Sequence, residues 1–347
     1  MPQGLTPAKA RAFLQGYDAS RPQLQEAASQ LQAYLTSVVS DGNIAPHMVS
    51  VRVKETDSVR GKLLRKDYSD PASELTDMIG ARIILYHAAE VDHVASLLRP
   101  RLKIRERDSA DKRLALGLRE FGYRSYHLIG QIPRRLQTRQ DLKTVGNLVF
   151  EIQVRSILEH VWAEIEHSVV YKSGADLPSE LKRRFASLAA VLEMLEHEFS
   201  GVAEATEKLI DQAKDRLTTR PLVRQMLDAP TLLAMLEIEF PHALSFRAAT
   251  RSSSAFPPAI EQRFLLALQR IRIRDSTAFL ALIRTREFVA SAKRYASSSG
   301  ISVLEVSHLA VLAIALGLKS PDVLRVYFPE FEADGAMTSA LRPIRRK

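Results

Sequence analysis

The sequence predicts an α/β (α+β) fold, a mixed β-sheet flanked by helices, followed by an all-helical region. Three observations lead there. Compact runs such as ARIILYH and NLVFEIQVR are rich in β-branched residues and read as strands, and helical stretches separate them over the first 172 residues. From about residue 178 the texture changes, and PSELKRRFASLAAVLEMLEHEFSGVAEATEKLIDQAKDRL carries leucine and alanine at helical spacing. The length, 347 residues, is enough for two ordinary domains with a sizeable core.

Taken in order, residues 1–45 read as helical, with Ser20 a candidate N-cap and Pro22 near the first turn. GNIAP breaks that helix, and HMVSVRVK alternates as a strand does. DSVRGKLLRKDY is a short basic helix that Asp57 or Ser58 could cap. ARIILYH is a buried strand, AEVDHVASLLRP a helix stopped by Pro100, and KIRERD a candidate edge strand. YHLIGQI and NLVFEIQVR supply two more strands, and EIQVR runs directly into a helix around Trp162, the chain's one tryptophan. Later helices include PAIEQRFLLALQRIRI, STAFLALIRTREFVASAKRYA and SVLEVSHLAVLAIALGL, with ATRSSSAFPP at 248–258 as a linker or long loop. The expected organisation is N-terminal helices over 1–45, a mixed domain over 46–175, a helical region over 176–335 and a basic tail over 336–347.

Composition narrows the class of function. Hydrophobic residues make up 46% and charged residues 26%, the balance of a soluble globular protein. The longest apolar run, LAVLAIALGL at 309–318, has the length of a buried helix and not of a membrane span. The N-terminus lacks an apolar signal core, so no export is expected and the cytoplasm is the expected compartment. Absence of cysteine excludes disulfides, thiolate metal sites and cysteine nucleophiles. A formal charge of +9 favours acidic partners such as nucleotides or RNA, and fits a merely basic soluble protein equally well.

Four stretches carry chemistry. In VRVKETDSVRGK, Arg52 and Lys54 leave one strand face, and Lys62 follows on the next helix. Paired cations suit polyphosphate and arginine can stack on a base, though a solvated strand face would look the same. In ELTDMIGARIILY, Asp77 stands at the mouth of a buried strand, where a carboxylate can hold Mg²⁺ beside phosphate or simply cap the turn at Gly80. Arg82, within that strand, needs solvent or a partner. In FGYRSYHL, Gly122 permits a bend, and Tyr123, Ser125 and His127 alternate along one face, a platform for a base with a hydroxyl and an imidazole beside it. The preceding basic stretch is a solvated loop or a phosphate-gathering one. In EIQVRSILEHVWAEIEH, Glu151 opens its strand on the polar face and could share one metal with Asp77 or take a proton from an attacking hydroxyl. His160, Glu164 and His167 share a helical stripe that lacks the HExxH order of a zinc site and reads as a polar face bracing the sheet.

In this order and spacing the four stretches resemble the synthetase domain of the RelA/SpoT family, the alarmone synthetases. The matching residues are Arg52, Lys54, Ser58 and Lys62; Asp77, Gly80 and Arg82; Gly122, Tyr123, Ser125 and His127; and Glu151–Arg155, then His160–His167, Tyr171 and Lys172, within roughly residues 45–175. The resemblance implies a nucleotidyltransferase-like sheet and transfer of the β,γ-pyrophosphate of ATP to the 3′-hydroxyl of GDP or GTP. It implies that Asp77 ligates Mg²⁺ and that Glu151 is a second ligand or the base. It places ATP on Arg52, Lys54, Ser58, Lys62 and Arg82, with the two arginines around adenine. It gives the acceptor to Arg119, Tyr123, Ser125 and His127.

The family's long members carry a hydrolase domain with a His-Asp pair; no His-Asp dipeptide occurs here, so synthesis without hydrolysis is expected. Guanine-specific members often place an asparagine before the Gly-Tyr, where this chain has Phe121. Three functions therefore stand open at this stage. They are a small synthetase of guanine alarmones, a toxin-type relative acting on the tRNA 3′ end or an adenine nucleotide, and a non-catalytic nucleotide-binding module. The helical half is a candidate surface for an antitoxin, a regulatory protein or a second copy of the chain.

Overall fold

The structure, a computed structural model, describes residues 5–42, 44–66, 68–111, 125–166, 168, 178–220, 223–243, 260–303, 306–332 and 334–342. The chain divides into two compact units, Met1–Ser200 and Gly201–Lys347. Among the described residues no helix is long and apolar enough to cross a membrane.

The first unit is built on one mixed sheet. Its strands are β1 (Met48–Val53), β2 (Ile79–Leu85), β3 (Lys103–Ile104), β4 (Ala110–Asp111), β5 (Tyr126–Gln131) and β6 (Phe150–Ser156). They lie in the order β1-β2-β6-β5-β3, with β4 also paired to β5. β2 and β6 run parallel, with Gly80 opposite Glu151, and the other pairings are antiparallel. Alternation sorts the side chains into two faces. Ile79, Ala81, Ile83 and Leu85 of β2 join Phe150, Ile152 and Val154 of β6 and Leu128 of β5 in one buried cluster. Helices α1 (Pro7–Asp41) and α4 (Ala89–Leu98) belong to that apolar side. The opposite face carries Gly80 and Arg82, Glu151 and Gln153, and His127, which leaves it for chemistry.

Two expected helix starts are corrected. α1 does not begin at Ser20: Thr6 caps it, accepting from the Lys9 amide, and Pro22 lies inside the helix. An internal proline costs about 3 kcal/mol. Tyr17 and Leu24 are buried on either side of it and hold both segments against the sheet, while the Ser20 hydroxyl donates back to the Tyr17 carbonyl at 2.8 Å. Helix α2 (Thr56–Arg65) takes neither Asp57 nor Ser58 as its cap. Glu55 occupies that position without a side-chain cap bond, because its carboxylate is held by Arg21 at 2.8 and 3.0 Å. This unit also contains α3 (Pro71–Glu74), α5 (Ile157–Glu166) and the portion to Ser200 of α6 (Ser179–Thr219), while α7 (Ala229–Glu239) belongs to the second unit. The expected edge strand KIRERD shortens to β3, after which Asp108 and Ser109 turn back onto the Arg105 carbonyl.

The second unit is helical, as the leucine–alanine pattern predicts. It continues with α8 (Ile260–Arg270), α9 (Ser276–Ile283), α10 (Arg286–Ser299), α11 (His308–Lys319), α12 (Pro321–Tyr327) and α13 (Gly335–Ala340). α11 is the run LAVLAIALGL, and every residue from His308 to Gly317 is buried. A Cβ at Gly317 would meet the Leu341 methyl groups at 2.5 and 2.8 Å, so a side chain here would require Leu341 to shift. The Phe264 and Phe328 rings stack at 4.0 Å beside it. The expected linker at 248–258 lies outside the described residues.

One buried carboxylate in the first unit marks a junction. Glu196 of α6 is 8% exposed and accepts from the Ala88 amide at 3.1 Å and the Ser156 hydroxyl at 2.6 Å. Burial outweighs these bonds and raises its pKa. A folded-state pKa above the unfolded one gives stability that is full below the unfolded value and lost as pH rises through the folded value. Glu196→Gln should therefore raise the melting temperature by about 2 °C at neutral pH. The gain should vanish on acidification towards about pH 4, where the glutamate is protonated in both states. Calorimetry across that range checks the sign.

Candidate active site

The site forms on the polar face of the sheet, at the end where β2 and β6 begin. Register fixes its layout. Arg52 of β1, Gly80 of β2, Glu151 of β6 and Ile129 of β5 form one row across the strands. Ser50, Arg82, Gln153 and His127 form the next. Asp77 stands just ahead of β2, beside a backbone bond from the Lys54 amide to the Met78 carbonyl at 3.0 Å. Together Arg52, Lys54, Asp77, Gly80, Ala81, Arg82, Glu151 and Gln153 line one cleft of about 70 Å³.

The electrostatics of Asp77 are asymmetric. Lys54 Nζ and Lys62 Nζ both reach its Oδ2, at 2.6 and 2.7 Å. Its Oδ1 is buried and has no hydrogen-bond partner among the described residues. Burial on its own would raise this carboxyl's pKa, but the two ammonium groups outweigh it and hold the pKa below the ordinary carboxylate value. Asp77 is therefore an anion at neutral pH, with one oxygen held by two cations and one without a hydrogen-bond partner among the described residues. That is the form a hard divalent cation requires of a carboxylate ligand.

Glu151 is held from the neighbouring strand. His127 Nδ1 lies 2.5 Å from Glu151 Oε1, and since a carboxylate only accepts, the imidazole donates. The other ring nitrogen, Nε2, is 3.2 Å from Ser125 Oγ. Ser125 and His127 thus share a face as the alternation predicts, and both are buried. Both ring nitrogens are engaged, so phosphate contact by His127 needs one of these bonds exchanged.

Helix α5 secures the far side of the site. Ser156 ends β6 and caps α5: its Oγ accepts from the Glu159 amide at 3.1 Å, and Glu159 Oε2 accepts from the Ser156 amide at 2.7 Å. This reciprocal pair is a capping box, so strand and helix join without a loop. Trp162 is buried against Phe185 of α6, ring centroids 4.8 Å apart. Glu164, on the exposed side, receives Arg82 Nη1 at 2.7 Å, the partner the sequence required for that arginine. Arg155 is buried and donates to Gln153; burial first, and then the neighbouring Arg82 charge, pull its pKa down to about 10.

The structure thus brings Arg52, Lys54, Asp77, Arg82 and Glu151 into one cleft, with Lys62 reaching Asp77 from α2 and Ser125 and His127 behind Glu151. Ser58 is exposed on the first turn of α2 and is not among the residues lining the cleft. Arg119, Phe121, Gly122, Tyr123, His167, Tyr171 and Lys172 lie outside the described residues. Sequence reasoning missed three contributors. The Ser156–Glu159 capping box was available as S-x-x-E. The Gln153–Arg155 pair was available only as alternate residues of one strand. The Tyr17 hydroxyl, which donates to the Lys54 carbonyl at 2.6 Å across 37 positions, had no local signal.

The site sets two carboxylates among cations on one face of a mixed sheet, and comparison with known proteins is specific about the family. Residues 51–176 match the model of the region found in RelA / SpoT proteins. The GTP pyrophosphokinase YjbM of Bacillus subtilis (strain 168) is 33% identical over 157 residues, covering 44% of this chain and 70% of that protein. The GTP pyrophosphokinase YwaC of the same organism is 29% identical over 165 residues, covering 45% and 73%. The chain belongs to the RelA/SpoT family. Among solved structures, small alarmone synthetase 1 from Bacillus subtilis aligns with a TM-score of 0.46 at 27% identity, covering 56% of this chain and 98% of that one. The same synthetase bound to its product pppGpp aligns at 0.45 and 28%, covering 55% and 97%.

Gly80 tests the cleft directly. A Cβ there would meet nothing within 4 Å, so the space above the strand is open. Gly80→Val should fold at least as well as the parent, since valine favours a strand. It should weaken binding of a non-hydrolysable ATP analogue by about tenfold or more by filling the floor between Arg52 and Glu151. Melting temperature and titration calorimetry on the same sample separate the two effects.

Proposed function

We infer that this chain is a pyrophosphokinase that transfers the β,γ-pyrophosphate of ATP to the 3′-hydroxyl of GDP or GTP, making (p)ppGpp-type alarmone. The single observation that carries this reading is the convergence of Asp77 and Glu151 on one cleft walled by Arg52, Lys54 and Arg82. Membership of the family and the relatives named GTP pyrophosphokinase supply the reaction.

The acceptor's 3′-oxygen forms a bond to the β-phosphorus of ATP. The bond from that phosphorus to the oxygen bridging to the α-phosphorus breaks, and AMP leaves with the bridging oxygen. The proton of the hydroxyl passes to Glu151, which His127 holds in place. Lys54 and Lys62 turn from Asp77 to the triphosphate oxygens, and Arg52 and Arg82 lie against the two faces of adenine. By the family resemblance, the acceptor base falls to Tyr123 and the acceptor phosphates to Arg119, Ser125 and His127.

The residues present fit Mg²⁺. Asp77 offers a buried, unpartnered oxygen, and Glu151 opens on the same cleft. Among the described residues no three acidic or imidazole groups gather into a closed metal cage. Magnesium characteristically uses one or two carboxylates and completes its shell with substrate phosphates and water. When bound, the ion would neutralise polyphosphate charge. A cytoplasmic location, where ATP and GTP are supplied, follows from this reading.

The experiment is incubation of purified protein with γ-labelled ATP, Mg²⁺ and, separately, GDP, GTP, ATP or deacylated tRNA. Label should appear on GDP and GTP; label on tRNA alone, or on none of them, would overturn the assignment. Glu151→Gln should lower transfer by about two to four orders of magnitude while ATP binding stays within about threefold. Chelation of the metal with EDTA should abolish transfer and its restoration should follow added Mg²⁺.

A further inference from the structure

Glu164 lies outside the cleft lining, yet it is bonded to one of the cleft's walls. We propose that Glu164 is a positioning residue for the donor base, gripping the edge of the Arg82 guanidinium so that its flat face stays open to adenine. This rests on the assignment of Arg82 to adenine given above.

A guanidinium is planar, and all its N–H groups lie in the plane. A bond through Nη1, at 2.7 Å to Glu164 Oε1, therefore uses an edge and spends neither face. Among the described residues, Glu164 is the carboxylate that Arg82 meets as an ion pair. The neighbour of Arg82 across the β2–β6 register, Gln153, is taken by Arg155. Arg155 is itself a cation one row further along, and it repels Arg82. Without Glu164, like-charge repulsion would drive the Arg82 side chain out towards solvent and away from the slot that Gly80 leaves beside Arg52.

Magnitude separates positioning from stability. The Glu164 side chain is 53% exposed, and ion pairs this exposed contribute little to folding. What the pair does have is a rigid mount. α5 is tied to β6 by the capping box and seated on α6 through Trp162 and Phe185, so the Glu164 carboxylate arrives from a fixed direction.

The test uses two probes on the full chain: α,β-methylene ATP, which has the base, and inorganic tripolyphosphate, which lacks it. Glu164→Ala should weaken the methylene analogue by about 3- to 10-fold and raise the KM for ATP by the same factor. It should leave tripolyphosphate affinity, the KM for GDP and the melting temperature unchanged. Glu164→Gln keeps an oxygen acceptor for Nη1 and should recover most of the loss. Equal weakening of both probes, or no weakening of either, overturns the proposal. Transfer is measured alongside: a parent chain that fails to transfer overturns the assigned reaction, whereas intact transfer with unchanged titrations overturns the role of Glu164 alone.

Discussion

The parallel pairing of β2 with β6 is the constraint on which the site depends. Parallel neighbours begin at the same end, so residues that open each strand meet there. Asp77 precedes β2 and Glu151 begins the polar face of β6 opposite Gly80, and an antiparallel pairing would have sent them to opposite ends of the two strands. Two carboxylates brought this close repel each other. The structure answers with Lys54 and Lys62 on one and His127 on the other.

The apolar side of the sheet enforces that register. A slip of one residue between β2 and β6 would turn Ile79, Ala81 and Ile83 to the polar face and bring charged groups into the core. Packing by α1 and α4 therefore does more than stabilise the first unit: it fixes which atoms meet in the cleft. α1 has a second tie through the Tyr17 hydroxyl, which holds the Lys54 carbonyl and with it the exit of β1.

Legibility in the sequence followed locality. Strands β1, β2, β5 and β6 were readable because alternation and β-branching are local signals, and α11 because ten consecutive apolar positions have one explanation. Asp77 and Glu151 were readable as strand-mouth carboxylates. Their convergence was readable only on the condition that the two strands are neighbours, or through the family resemblance, because pairing order is non-local. The helix start at Ser20 was misread since a proline normally breaks a helix, and only the burial of Tyr17 and Leu24 on both sides of Pro22 reverses that rule. Arg82 declared its need for a partner, but Glu164 is 82 positions away and only the fold joins them.

The double grip of Lys54 and Lys62 on Asp77 Oδ2 has a consequence for the basic wall of the cleft. Two like charges that share a single anionic oxygen are stored close together without the self-repulsion that would otherwise splay a basic pocket open. Under the proposed function, a polyanion would meet two ammonium groups already gathered at one oxygen. The carboxylate that would hold a cation thus also gathers the cations of its own wall.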